Sequence, residues 1–69
     1  MTTTQQRMDK TLEFIAFCEE KGHYRAAAEF CYVNGLYQRA GDNYKRADMI
    51  SEAQEAYMQA GFEKKKDNR

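Results

Sequence analysis

Cys18, His23 and Cys31 have the side chains to ligate a metal or to work as a thiol nucleophile, and they fall in the spacing C-x4-H-x7-C. Zinc sites need further ligands and closely spaced Cys or His pairs, and this spacing supplies neither. A cysteine nucleophile needs a stabilised thiolate, whereas a thiol on an apolar helix face has a raised pKa and little reactivity. Ser51, the single serine, is better used as a helix cap than as a nucleophile. Glu19 and Glu20 are consecutive, so on a helix they point to different sides and do not form a carboxylate pair. The four glycines are isolated, which leaves no phosphate-cradling loop. The expectation is a protein that is not an enzyme and needs no metal or cofactor.

The elements that carry these residues recur every 13 positions. Gly22, Gly35, Asp48 and Gly61 fall 13 apart, as do Tyr24, Tyr37 and Ile50, and Ala27, Ala40 and Ala53. Cys31, Tyr44 and Tyr57 share a fourth place, with Asn34, Ala47 and Ala60 at a fifth; Asp9, Thr11, Phe14, Cys18 and Lys21 fit the same frame more loosely. Both cysteines therefore hold the core place of the unit. Apolar residues three and four apart mark one helix face. Each unit predicts one short helix and a tight turn, with Gly22 and Gly35 as left-handed stops. The fold class expected is all-α, with four short antiparallel helices over 9–21, 23–34, 36–47 and 51–63. They form two helical hairpins in a right-handed stack. Asp9 is expected to cap the first helix, and Ser51 with Gln54 to form a capping box on the last. A bridged Gly35, giving one kinked helix over 23–47, is the alternative, and Asn34-Gly35 argues against it as a strong terminator. Residues 1–8 read as a disordered segment, 9–63 as the helical domain and 64–69 as a charged tail.

Within Tyr37–Ala60 the residues Tyr37, Ala40, Gly41 and Tyr44, followed by Ala53, Tyr57 and Ala60, resemble the tetratricopeptide repeat. Tyrosine stands for the family's tryptophan, and Lys65 lies near the place of its closing proline, so the last helix is expected to run on or fray. The resemblance covers about half the chain. It implies a helical hairpin that binds peptides on the inner face of its first helix, here Gln38, Asp42, Lys45 and Arg46. Carboxylate-clamping members carry lysine and asparagine at the places of Gln38 and Asp42. Chaperone C-terminal tails are therefore not implied, and the groove suits a peptide or helix with charges of both signs.

Sixty-nine residues allow one domain, and a chain of this size buries only about 60% of its unfolded surface, so a lone copy is marginal. Charged residues make up 32% of it and proline is absent, which favours helices over a sandwich of strands. Eleven basic and eleven acidic side chains cancel, so no global field draws it to nucleic acid or to an anionic membrane. No apolar run suits a membrane span, Met1–Gln6 is no signal peptide, and two cysteines suit a reducing cytosol. The localisation expected is cytoplasmic.

Two hairpins are too few to cover both faces of a solenoid, which leaves Tyr32, Val33, Tyr57, Met58 and Phe62 short of cover. The partner expected is another protein or peptide, with a homodimer as the favoured assembly. The alternative is a small nucleic-acid-associated regulator using Arg39, Lys45 and Arg46 with Lys64, Lys65 and Lys66. Against it, a recognition helix over 51–58 would present Glu52, Gln54, Glu55 and then Gln59, with no cation for phosphate or guanine. Asp42, within one turn of the basic cluster, is placed to pair with it.

Overall fold

Three chain reversals, each built from the same backbone hydrogen bonds, set the architecture. The computed structural model describes the backbone of residues 4–67 and the side chains of residues 8–61. At the first reversal the His23 amide donates to the Cys18 carbonyl at 2.8 Å and the Gly22 amide to the Glu19 carbonyl at 3.1 Å. Thirteen residues on, Leu36 donates to Cys31 at 2.9 Å and Gly35 to Tyr32 at 3.1 Å. At the third, Met49 donates to Tyr44 at 2.8 Å and Asp48 to Lys45 at 3.0 Å. This nested pair is the Schellman closure, which satisfies carbonyls left over at a helix end. It needs a left-handed residue, and Gly22, Gly35 and Asp48 adopt φ of 81°, 79° and 63°.

The same residues open the next helix. The carbonyls of His23, Leu36 and Met49 accept from Ala27, Ala40 and Ala53 at 3.0, 2.9 and 3.0 Å. No side chain of His23 or Leu36 caps the helix that follows it. The result is an all-α chain: α1 over Thr4–Glu20, α2 over Tyr24–Val33, α3 over Tyr37–Arg46 and α4 over Ile50–Asp67. No strand occurs among the described residues. Each three-residue turn sends the chain back, so α1, α2, α3 and α4 pack in sequence as antiparallel neighbours. Gly35 ends α2 and does not bridge it to α3.

The outer helices differ from their expected bounds. α1 begins at Thr4, so residues 4–8 are helical where a disordered segment was expected, and Asp9 lies inside the helix instead of capping it. α4 begins at Ile50, which puts Ser51 inside its first turn, beyond the cap position that the capping box requires. It then runs through Gly61 to Asp67, taking in residues 64–67 of the expected tail. Glutamate and lysine are good helix formers, and 63–66 offer nothing to stop the helix.

The core is made of small side chains. Ile15, Cys18, Ala27, Ala28, Cys31, Ala40, Tyr44, Ala53 and Ala56 are buried, with Tyr32, Leu36, Met49 and Tyr57 packed against them. Alanines at the helix contacts let backbones come close, and each larger side chain fills the space between turns. Among the described residues no helix is long and apolar enough to cross a membrane.

Candidate interaction surfaces

One polar network ties the first helix to the third. Glu19, near the end of α1, receives two parallel hydrogen bonds from Arg39 on α3: Nε to Oε2 at 3.0 Å and Nη2 to Oε1 at 2.8 Å. Asn43, one turn further along α3 and wholly buried, donates Nδ2 to the same Oε2 at 2.7 Å. The Asn43 amide also lies 3.2 Å from the Arg39 carbonyl and 3.9 Å from the Cys31 sulfur. Its Oδ1 is buried with no hydrogen-bond partner. Hydrogen bonds from Arg39 hold the Glu19 carboxyl below its usual pKa, and the same contact raises that of Arg39. Burial pushes the Cys31 thiol up, away from the reactive thiolate.

This network reassigns part of the expected basic cluster. Arg39 is engaged with Glu19 across the fold. Arg46 remains exposed, and its guanidinium lies 5.8 Å from the ring centre of Tyr24. Lys45 is exposed. Asp42, expected to pair with these cations, instead accepts a 2.6 Å hydrogen bond from the Tyr57 hydroxyl. That bond holds the Tyr57 pKa above its usual value, chiefly because it favours the neutral phenol.

The expected protein-binding residues divide into two sets. Tyr32 and Tyr57 are half-buried. Tyr32 packs edge-on against Tyr37, with ring centres 5.1 Å apart, while the ring of Tyr57 crosses Gly41. Val33, Gln38 and Met58 are exposed, Val33 and Met58 strongly so. The side chains of Phe62, Lys64, Lys65 and Lys66 lie outside the described residues.

A cluster of exposed aromatic side chains lies elsewhere, on α1 and α2. Phe14 and Phe30 meet across these helices with ring centres 4.7 Å apart, yet both remain exposed. Phe17, one turn from Phe14, is 52% exposed, and the Lys21 ammonium lies 5.6 Å from its ring centre. Position by position, Phe17 and Phe30 occupy the places that Asn43 and Ala56 hold on α3 and α4. The latter two are wholly buried. The phenylalanines thus stand on the end of the stack where a preceding helix pair would supply the cover. The 13-residue alignment contained this signal, as large apolar residues in the first two units at a place that is polar or small in the last two.

An open cleft of about 500 Å³ is lined by His23, Tyr24, Arg25, Arg46 and Ala47 beside the start of α2. Arg25 is engaged there with Glu29 on its own helix at 3.3 Å. Cys18 and Cys31 are buried free thiols, and His23 is an exposed turn residue. Among the described residues no group of three or more His, Cys, Asp or Glu is placed to hold a metal. In comparisons with protein-family models, with curated proteins and with solved structures, the chain matches none.

Proposed function

We propose that this chain is a non-catalytic protein–protein interaction module, a tetratricopeptide-like helical stack that acts by occupying a partner's surface. The observation that carries this reading is the end face of Phe14, Phe17 and Phe30, three exposed aromatic rings on two adjacent helices. Aromatic residues and methionine are the types enriched in interface cores, and Met58 lies exposed on the last helix. The polar side chains best able to do chemistry are otherwise engaged: Glu19 with Arg39, Asp42 with Tyr57, and both thiols in the core.

The test is capture of a partner from nuclease-treated extract, with three forms of the protein compared. Wild type and a Lys45→Gln/Arg46→Gln variant are expected to retain the same protein partner, and a Phe17→Ser/Phe30→Ser variant of unchanged helicity to lose it. Binding that requires nucleic acid, falls steeply with salt and vanishes with the basic residues would replace this reading with the nucleic-acid one.

A further inference from the structure

The three reversals repeat at a 13-residue spacing, so a shift of 26 residues carries α1 onto α3 and α2 onto α4. Contacts between α1 and α3 therefore show what one hairpin presents to the next. On α1 the presenting residue is Glu19, and on α3 the receiving residues are Arg39 and Asn43.

Applied once more, the same shift describes both open ends of the stack. Lys45 stands on α3 where Glu19 stands on α1, and it is exposed. Glu13 stands on α1 where Arg39 stands on α3, and it too is exposed. The internal carboxylate–guanidinium pair becomes, between the ends, a lysine facing a glutamate. The signs are exchanged and the attraction is kept. Phe17 takes the place of Asn43 beside it.

The second pair of helices follows the same rule. Tyr32 on α2 is half-buried against the core cluster that includes Ala56 on α4. The shift replaces Tyr32 by Met58, 60% exposed, and Ala56 by Phe30, 40% exposed. A thioether against an aromatic ring is a favourable contact. The two ends are thus complementary in charge at one point and in apolar character at the next.

We infer that a second copy of this chain stacks head to tail on the first, with Glu13, Phe17 and Phe30 of one chain seated on Lys45 and Met58 of the other. This rests on the interaction-module reading and specifies its partner. Because the two faces differ and lie at opposite ends, each added copy leaves a fresh face exposed. Association is open-ended and is not closed at a dimer.

Charge exchange tests the pairing. Light scattering across a concentration series at low salt should show a wild-type mass that climbs past two chains. Glu13→Lys and Lys45→Glu, each with wild-type helicity, should separately weaken association about tenfold, since each turns an attraction into a repulsion. An equimolar mixture of the two variants should regain it, because each unlike encounter again sets lysine against glutamate. A mixture that stays as weak as its components overturns the inference, as does a wild-type chain that is monomeric throughout. A closed dimer indifferent to Lys45→Glu also overturns it. In each of these cases the interaction-module reading is judged separately, by the capture experiment with the Phe17→Ser/Phe30→Ser variant.

Discussion

The ring of Tyr57 lies so close to Gly41 that a β-carbon at Gly41 would come within 2.5 Å of Cε1, 2.7 Å of Cδ1 and 2.9 Å of Cζ. The ring has little freedom to retreat, because its hydroxyl is bonded to Asp42 one residue along α3. A mid-helix glycine costs about 1 kcal/mol relative to alanine, so here close packing outweighs helix propensity.

Gly41→Ala should therefore destabilise the fold by about 1–3 kcal/mol in spite of the better helix former. In a Tyr57→Ala background the clash is gone, and the same change should become neutral or stabilising. Urea titrations of the four chains of this double-mutant cycle check the sign reversal.

Glu19 anchors Arg39 and Asn43, and its loss leaves the buried Asn43 amide with weaker acceptors. Glu19→Gln should cost about 1–2 kcal/mol, toward the low end for a charge-assisted pair because the Arg39 side chain is partly solvated. The denaturation midpoint, with an unchanged slope, is the readout.

The same carboxylate gives a pH dependence of known sign. Its pKa is held below the ordinary value of 4.5 in the folded chain, so the folded state binds the proton less readily than the unfolded one. The contribution is full above the unfolded value and is lost as pH falls through the folded one. The stability gap between wild type and Glu19→Gln should be level near neutral pH and narrow below about 4.5, as followed by circular dichroism.

Asp48 holds the left-handed place that Gly22 and Gly35 fill at the other two turns. A β-carbon in that conformation costs about 1–2 kcal/mol, and part of this is offset by glycine's greater freedom in the unfolded chain. Asp48→Gly should raise stability by about 0.5–1 kcal/mol, and Gly35→Ala should lower it by about 1 kcal/mol. Thermal melting of both variants tests whether the three turns are equivalent.

The repeat in the sequence carried much of the fold. Gly22, Gly35 and Asp48 mark the turns because left-handed closures recur at the end of each unit, and Cys18, Cys31 and Tyr44 are buried because each holds the same inward place on its own helix. The unit is 13 residues long, so a hairpin takes 26, against about 34 in the tetratricopeptide repeat, and the inner helices α2 and α3 are correspondingly short. The outer ends were less legible. Asp9 and Ser51 are good caps by residue type, but the helices start earlier, at Thr4 and Ile50. The Glu19–Arg39–Asn43 network joins residues 20 and 24 positions apart, beyond the reach of any local pattern. No local pattern marks Phe14, Phe17 and Phe30 as exposed; they are open because no helix of the described fold packs over that side of α1 and α2.

Complementary ends would bring Glu13 of one chain against Lys45 of the next, and zero-length cross-linking detects that contact. A carbodiimide joins a carboxylate to a lysine only when they touch, and mixing normal with isotope-labelled chains separates links between chains from links within one. Head-to-tail stacking gives a Glu13–Lys45 link in mixed-isotope form, lost in Glu13→Gln. Cross-linked oligomers joined at other residues, with no Glu13–Lys45 link among them, would contradict it.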